Sequence, residues 1–298
     1  MNPSNLPLVS IIIPTHNRPH LLEGAIDSAL GQTYPEIETI VVDDASVPPA
    51  TVRSHSKLQL VRLDTPHGGA AARNIGTQAA RGRWITYLDD DDRLLPHAIE
   101  VSLKAIETAD VPPPVAVISG IEVVNETGRI TEKRLPPAYR SQGEHFWLEE
   151  LEPGRSYNTK QTLVVEREVV REIGGWDETF QSRVHSELFL RLNQTCSILG
   201  LPEVTYRLLR ASKEPGVSKN PELRQESVRR LIEKYESLFR SHPKMFAHFL
   251  YEHALNSYRT GQEKAAIWSA FRAFITHPIY ISKYFFSRFQ QATFSGRK

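Results

Sequence analysis

Four short apolar segments near the start of the chain constrain the fold more than any other feature of the sequence. Each is followed at once by polar or acidic residues, and helical patterns fill the intervals between them. Because the segments are apolar on both faces, they are typical of strands in a parallel sheet that is covered on both sides. They span residues 9–13, 39–42, 58–63 and 84–88.

The intervening segments have the period of amphipathic helices. Leu22 and Ile26 lie at helical spacing after the first strand, and apolar periodicity predicts further helices at 68–80 and 99–106. A fifth strand is expected at 115–119. Strands that alternate with helices, joined by right-handed crossovers, predict an α/β fold with a mainly parallel sheet and helices on both faces.

Polar side chains follow three of the predicted strands at the points where they end. His16 and Asn17 follow the first strand, Asp43 and Asp44 the second, and four consecutive aspartates, 89–92, the fourth. In open parallel sheets, ligands bind outside the carboxyl ends of the strands. We therefore expect these three groups to converge at one edge of the sheet.

The acidic run is the sharpest chemical signal. Four adjacent carboxylates at the end of a buried strand repel one another, which raises some of their pKa values, and a divalent cation relieves that repulsion. Mg²⁺ and Mn²⁺ prefer carboxylates together with phosphate oxygens and water. Asp89 and Asp91, which are one residue apart, can both turn toward one ion. The alternative is that the run 89–92 forms a solvated turn whose aspartates cap the next helix.

Asp43 and Asp44, after the second strand, and the loop after the first strand are relevant to nucleotide binding. An acid at the end of the second strand suits a hydrogen bond to a ribose hydroxyl or a base N–H, and an Asx-turn is the alternative for Asp43 and Asp44. The first loop contains no glycine, so the dinucleotide and P-loop fingerprints are missing. Gly68 and Gly69 could offer N–H groups to an anion or form a plain turn.

Composition excludes several classes of protein. The chain has 298 residues, 40% apolar and 24% charged, as in ordinary globular proteins, and its net charge of +1 provides no global field for nucleic acid. The lone Cys196 excludes an internal disulfide and is expected to be a small buried side chain. Neither a signal peptide nor a membrane-length apolar segment is evident, so a cytoplasmic protein is expected.

The rest of the chain is less regular and then becomes helical. A strand is expected at 161–166 and a helix at 186–193, and a loop at 213–218 is a candidate lid over a bound ligand. Asn220 and Pro221 predict a capped helix start. Three apolar stripes are expected to face inward along the helical tail. They are Val228, Leu231, Ile232, Tyr235 and Phe239; Phe246, Phe249 and Leu250; and Ala266, Ala270, Phe271 and Phe274.

Four motifs accompany these elements, at residues 9–18 (VSIIIPTHNR), 40–46 (IVVDDAS), 72–74 (ARN) and 84–92 (WITYLDDDD). Together they resemble glycosyltransferase family 2. The likeness is close over residues 1–110 and continues more loosely through 173–178 (IGGWDE) and 188–192 (LFLRL). It implies the nucleotide-sugar-binding α/β fold called GT-A, a nucleotide-diphospho-sugar donor, Mn²⁺ or Mg²⁺ as cofactor, and inversion at the anomeric carbon.

The resemblance also implies roles for individual residues. Asp89 and Asp91 would be the family's D-x-D pair, with Asp91 the direct metal ligand and Asp90 close to the nucleotide. Asp44 would hydrogen-bond the base and Asp43 would lie near the ribose. The remaining nucleotide-binding residues would be Pro14, His16, Asn17 and Arg73, the last of which could instead be a charge on a helix surface.

One position departs from the family pattern. Six residues before Arg191 the family usually has an aspartate that deprotonates the acceptor, and here His185 occupies that position. A histidine is a competent base at neutral pH. Glu187, two residues further on, is the second candidate for the catalytic base, and an acceptor-binding or structural role is the third interpretation.

Taken together, these features predict a metal-dependent glycosyltransferase. Residues 1–118 would bind the donor, 119–219 the acceptor, and 220–298 form a helical appendage. A UDP-sugar is favoured over GDP- or dTDP-sugars, and the acceptor would be a glycan, a lipid-linked or a small-molecule hydroxyl. A catalytically degenerate sugar-nucleotide binder is the alternative.

The aromatic and basic segment 279–298 raises a separate question. It predicts either burial against the main domain or in a dimer, or contact with the inner face of a membrane. The expected location is therefore cytoplasmic, with peripheral membrane contact as a further alternative.

Overall fold

The computed structural model describes residues 6–210 and 220–284. The chain divides into two compact units. The first unit comprises Met1–Trp147 and Leu151–Glu214, and the second comprises Leu148–Glu150 and Pro215–Lys298. The predicted lid at 213–218 lies outside the described residues.

A single mixed sheet organises the first unit. The strands run in the order β3-β2-β1-β4-β9-β6-β10-β5, with β7 paired to β6 and β8 to β10. Within the described part of the chain the sheet has ten strands. These are β1 Val9–Thr15, β2 Ile37–Asp43, β3 Leu58–Arg62, β4 Trp84–Tyr87, β5 Arg93–Leu94, β6 Val115–Val124, β7 Ile130–Arg134, β8 Tyr139–Arg140, β9 Val164–Glu166 and β10 Ser197–Leu209.

The parallel part of the sheet contains the strands that the sequence predicted. β1 pairs in parallel with β2 on one side and with β4 on the other, and β3 extends the sheet beyond β2. The chain thus leaves β1 in one direction and returns to its other side, which makes the β1–β4 boundary the topological switch point. Register places Thr15 of β1 beside Asp43 of β2. The predicted α/β class with a mainly parallel sheet is confirmed.

Helices cover this sheet and bury its apolar side chains. They are α1 Pro19–Leu30, α2 Gly69–Ala79, α3 Ala98–Thr108, α4 Arg167–Glu172 and α5 Val184–Thr195. Leu22 and Ile26 of α1 join Ile11 and Ile13 of β1 in the main core. On α2 the packed position is Gly76, where an added Cβ would lie 2.3 Å from Ile12 Cγ2. Only glycine allows this close approach of helix and strand.

The middle of the chain is more strand-rich than the sequence predicted. β6 continues past the expected end at 119 to Val124, and β10 was not predicted at all. The expected strand at 161–166 is wrong in its first half, where Lys160–Thr162 forms a 3₁₀ turn. The Thr162 hydroxyl donates to the Thr159 carbonyl at 2.8 Å, a local hydrogen bond that competes with strand pairing. Cys196 is fully buried, as expected.

The second unit is helical. It contains α6 Pro221–Lys234, α7 Glu236–Ser241, α8 Pro243–Arg259 and α9 Glu263–Thr276, and residues 278–284 are also helical. The predicted cap is confirmed, because the Asn220 side chain accepts from the N–H groups of Glu222 and Leu223. Within the described ranges, no helix combines the length and apolar character that a membrane span needs.

The third predicted stripe of the tail is wrong. α9 buries the small residues Ala266, Ser269 and Ala273, whereas Phe271 and Phe274 are 63% and 51% exposed. The Ser269 hydroxyl bonds Nδ1 of His253 on α8 at 2.9 Å. Small side chains let the two helices pack closely, so the bulky aromatic residues face away from α8.

Candidate active site

The loops that follow β1 and β2 are tied together by hydrogen bonds. Asn17 adopts a left-handed backbone conformation (φ 56°). Its N–H donates to Ser46 Oγ at 2.8 Å, and its side-chain oxygen accepts from the N–H of Val47 at 2.7 Å. A His16 ring nitrogen bonds the carbonyl oxygen of Asp44. The two loops therefore form one surface, from which His16 and Asn17 project into solvent and Pro14 is half-buried.

Asp43 lies beneath this surface, where its carboxylate is held by groups of the protein itself. Its side chain is fully buried, and its carboxylate accepts from the N–H groups of Ser46 and Ala50, both at 2.9 Å, and from Arg62. Burial opposes ionisation, but these hydrogen bonds outweigh it and lower the pKa of Asp43. The structure thus shows the Asx-turn that was the alternative for Asp43, and this turn holds the loop, while a position near the ribose stays a prediction.

Asp44 connects β2 to the start of α2. Its two oxygens accept from the N–H groups of His67 and Gly68, at 2.7 and 2.8 Å. The Gly68 N–H is consequently engaged inside the protein, and the idea that it binds an anion is not supported. Asp44 is 5% exposed, and its carbonyl oxygen accepts the His16 ring contact, so it lies next to His16.

The acidic run after β4 alternates between inward and outward side chains. Asp90 accepts from the Thr15 hydroxyl at 2.7 Å, and Asp92 accepts from the Tyr206 hydroxyl at 2.8 Å and the Leu209 N–H at 2.9 Å. The side chains of Asp89 and Asp91 are instead 33% and 39% exposed. Two inward carboxylates thus anchor the turn, while two outward carboxylates face the open edge of the sheet.

The donor set suits a hard divalent cation. Carboxylate oxygens of Asp89, Asp91 and Asp92 lie within 4.8 Å of one another. Burial, with the charges of Asp89 and Asp90, raises the pKa of Asp91 to about 6, and burial also raises the pKa of Asp92. Oxygen ligands that repel one another in this way fit Mg²⁺ or Mn²⁺.

Two arginines neutralise part of this negative charge. Arg18 Nη1 lies 3.2 Å from Asp90 and 3.1 Å from Asp91, and Arg73 pairs with Asp89. Burial disfavours the charge on Asp89, but Arg73, His185 and Arg18 outweigh it and lower its pKa. Arg73 is only 8% exposed, which excludes the alternative that it is a charge on the surface of the helix.

His185 lies beside this cluster at the start of α5. Its ring makes an edge contact with Trp176, at 5.0 Å between ring centroids, and the Arg73 guanidinium lies 5.1 Å from the same indole. Burial and the charge of Arg73 lower the pKa of His185 to about 3. Its imidazole is therefore neutral near pH 7, and in this state of the protein it is a weaker base than an ordinary histidine.

The loop that carries Trp176 is fixed by Asn74 of α2. The Asn74 amide accepts from the Trp176 N–H at 2.7 Å and donates to the Trp176 carbonyl at 2.8 Å. The motif at 72–74 thus connects the acidic cluster, through Arg73, to the indole that contacts His185.

Glu187 does not share the site with His185. It is fully buried, and its carboxylate accepts from Arg191 at both oxygens, one of these bonds being 2.8 Å. Arg191 in turn donates to the Ile173 carbonyl at 2.6 Å. A carboxylate held in this way stabilises the α4–α5 region and is poorly placed to take a proton from an acceptor.

Comparison with known proteins identifies the family. The profile described as Glycosyl transferase family 2 matches residues 10–170, more than half of the chain. The chain belongs to glycosyltransferase family 2. The resemblance that the sequence motifs indicated is thereby confirmed.

Two relatives of the chain are named for the synthesis of saccharides. The chain is 36% identical over 136 residues to the succinoglycan biosynthesis protein ExoO of Rhizobium meliloti, which covers 43% of this chain and 38% of that protein. It is also 36% identical over 101 residues to the Escherichia coli UDP-Glc:alpha-D-GlcNAc-diphosphoundecaprenol beta-1,3-glucosyltransferase WfgD, covering 33% of this chain and 40% of that one. The matches therefore span less than half the length of each of these relatives.

A solved structure has the same fold. The structure of S. aureus TarS 1-349 in complex with UDP-GlcNAc superimposes with a TM-score of 0.61 at 18% identity, covering 90% of this chain and 81% of that one. At this identity the likeness establishes the GT-A type of fold.

Three residues of this family 2 site were not predicted from the sequence. Arg18 was overlooked, although four neighbouring carboxylates require positive charge and Arg18 follows the same strand end as Asn17. Asp92 was not included among the candidate metal ligands, because only its partners on β10 reveal its place. Trp176 belonged to a loose motif, and no spacing indicated its contact with His185.

Proposed function

We propose that this glycosyltransferase transfers a sugar from a nucleoside diphosphate to an acceptor hydroxyl, with a divalent cation and with inversion. The observation that carries the proposal is the convergence of Asp89, Asp91 and His185 at the switch point of the sheet. There, carboxylates that could hold a cation lie near an imidazole, and the charge of Arg73 acts on both Asp89 and His185. In this proposal residues 1–118 bind the donor and 119–219 the acceptor.

The surface formed by the first two loops would hold the nucleotide. The base would lie against Pro14, His16 and Asn17. Asp44 would hold this surface in place, and the remaining lone pairs of its carboxylate would accept from a base N–H. We favour a UDP-sugar, because WfgD is named for a UDP-Glc donor and the TarS complex contains UDP-GlcNAc.

Asp89 and Asp91 would hold Mn²⁺ or Mg²⁺, and Asp92 is the third carboxylate of the same cluster. Such an ion supplies positive charge that stabilises a diphosphate leaving group. Arg18 and Arg73 are within reach of the same carboxylates, so their guanidinium groups can bind phosphate oxygens with the charge-assisted, forked geometry that arginine favours.

His185 would act as the general base. Its neutral imidazole would accept the proton of the attacking hydroxyl, while that oxygen bonds to the anomeric carbon from the face opposite the diphosphate. The bond between this carbon and the diphosphate oxygen breaks, and the nucleoside diphosphate leaves. The carbon passes through an oxocarbenium-like state, as in glycoside hydrolysis. The negative charge of a bound diphosphate favours the protonated imidazole, which raises its basicity when the donor is present. We propose an acceptor that is a glycan, a lipid-linked saccharide or a small molecule.

A donor panel tests this proposal. Thermal melting of the protein is measured with UDP-, GDP- and dTDP-sugars in the presence of Mn²⁺, followed by assays for release of the nucleoside diphosphate. We expect one donor class, UDP-sugars, to stabilise the protein and to be hydrolysed slowly without acceptor. Stabilisation without any turnover would indicate a sugar-nucleotide-binding protein instead, and no response to any donor would refute the nucleotide site.

A further inference from the structure

The helix α9 presents its large apolar side chains outward. Ala266, Ser269 and Ala273 form its buried face, and the opposite face consists of five large residues that we call the apolar face. Their exposed fractions range from 45% to 70%. They are Ile267, Trp268, Phe271, Phe274 and Ile275. Scattered apolar residues on a surface are ordinary, but a continuous face of this kind indicates an interaction site.

The helical part of the second unit, residues 215–298, has a net positive charge. Residues 215–298 contain 14 Lys and Arg, six Glu and no Asp, whereas the remaining residues, 1–214, contain 22 Lys and Arg against 29 acids. The net charge of +1 therefore conceals a basic helical unit attached to an acidic one. Such an asymmetry points to an anionic partner for the basic part.

Cations border the apolar face itself. The guanidinium of Arg272 lies 4.8 Å from the Trp268 ring centroid, and Lys264 is exposed one turn before Trp268. The helical segment 278–284 also has an exposed apolar residue, Ile279, and an exposed basic residue, Lys283. Tryptophan and phenylalanine flanked by Lys and Arg are typical of helices that lie in the interface of an anionic membrane.

We propose that the apolar face of α9 binds the surface of an anionic phospholipid bilayer. The side chains of Trp268 and Phe271 enter the boundary between headgroups and acyl chains, and Lys264 and Arg272 contact lipid phosphates. A second copy of the chain fits this surface less well, because a two-fold interface would bring the same cations against each other. This inference does not depend on the proposed donor or on the catalytic base.

Vesicle flotation with the full chain tests the proposal. We expect the protein to bind vesicles of phosphatidylcholine mixed with phosphatidylglycerol, to bind phosphatidylcholine alone much more weakly, and to dissociate as salt is raised. The double variant Ile267→Ser with Phe271→Ser should bind about tenfold more weakly or worse, from the apolar area removed. Lys264→Glu with Arg272→Glu should weaken binding selectively to anionic vesicles.

Ile130→Ser is the matched control, because Ile130 is 44% exposed on β7 of the first unit. It should bind vesicles as the wild type does. All variants should retain the wild-type helix content by circular dichroism, since each substituted residue is at the surface. Equal binding of the double variant and the control would overturn the proposal, as would equal binding to neutral and anionic vesicles.

Trp268 provides an independent readout. It is 45% exposed, whereas Trp84, Trp147 and Trp176 are each less than 9% exposed. Vesicles should shift tryptophan emission to shorter wavelength in the wild type and not in Trp268→Phe, which should still bind. Shielding of Trp268 from acrylamide in the free monomer would show that the chain itself covers the face. A dimer that Phe271→Ser dissociates would show that a second copy does, and either result would contradict the proposal.

Discussion

Arg18 Nη1 lies 3.1 Å from Asp91 Oδ2, so a guanidinium shares the carboxylate that we propose as the direct metal ligand. The same nitrogen lies 3.2 Å from Asp90. A cation at this cluster therefore competes with a positive charge that the protein itself supplies. This relationship makes the electrostatics of the site testable without knowledge of the acceptor.

Arg18→Ala should increase the affinity for Mn²⁺ in the absence of nucleotide. Removal of the competing charge is worth about 1 kcal/mol for partly exposed groups, or about threefold to tenfold in affinity. Titration followed by Mn²⁺ electron paramagnetic resonance measures this directly. Arg53→Ala is the control, because Arg53 pairs with Asp27 on the protein surface. Unchanged or weaker Mn²⁺ binding in Arg18→Ala would contradict this assignment.

Asp91→Asn should stabilise the metal-free protein at neutral pH. The folded-state pKa of Asp91 is about 6, above its ordinary value of 3.8, so the folded protein holds this proton more tightly than the unfolded chain. The associated stability is fully present below pH 3.8 and is lost as pH rises through 6. Since the carboxylate is 39% exposed, screening reduces the effect to about 1 kcal/mol.

Thermal melts in EDTA at several pH values measure that effect. The variant should melt about 2–4 °C above the wild type at pH 7.5, and the difference should shrink as pH falls below 6. Asp110→Asn, at an exposed surface aspartate, should show no such dependence. An Asp91→Asn protein that is less stable than the wild type at every pH would show that burial and repulsion do not destabilise the Asp91 carboxylate.

His185→Ala should lower kcat while the KM for the donor stays nearly constant. Loss of a general base typically costs 10²- to 10⁴-fold in rate, and the nucleotide contacts that we propose lie on other loops. Steady-state kinetics with saturating acceptor separate the two constants, and the exposed His55→Ala serves as control. A large rise in donor KM at unchanged kcat would instead assign His185 to binding.

Glu187→Gln should destabilise the fold without removing the chemistry. The buried carboxylate pairs with Arg191, and breaking such a pair costs about 3 kcal/mol in the free energy of unfolding. Denaturant unfolding measures this loss, and kcat per folded molecule should remain close to that of the wild type. A stable variant with a severely reduced kcat would make Glu187 the base.

The sequence predicted the elements that position the site. Apolar segments and helical spacing located β1, β2, β4 and α1 closely, and the expectation that their polar ends converge agrees with the contacts between Thr15 and Asp90. Such local patterns suffice because the carboxyl ends of parallel strands necessarily share one edge of the sheet.

The partner of each carboxylate could not be predicted. Asp92 is held by Tyr206 and Leu209 on a strand more than 100 residues away, and Asp43 is enclosed by Arg62 of β3. The sequence does not distinguish the four adjacent aspartates, whereas the fold turns the side chains of Asp90 and Asp92 inward. On α9, the apolar stripe predicted the wrong face because the helices pack through small residues.

Metal-dependent nucleotide binding tests the central claim most directly. Mn²⁺ affinity is measured by electron paramagnetic resonance with and without UDP, for the wild type, Asp91→Asn and Asp110→Asn. The account predicts that UDP tightens Mn²⁺ binding in the wild type and in Asp110→Asn, and that Asp91→Asn loses both the ion and this coupling. Mn²⁺ and UDP binding that are independent of each other, or unaffected by Asp91→Asn, would contradict it.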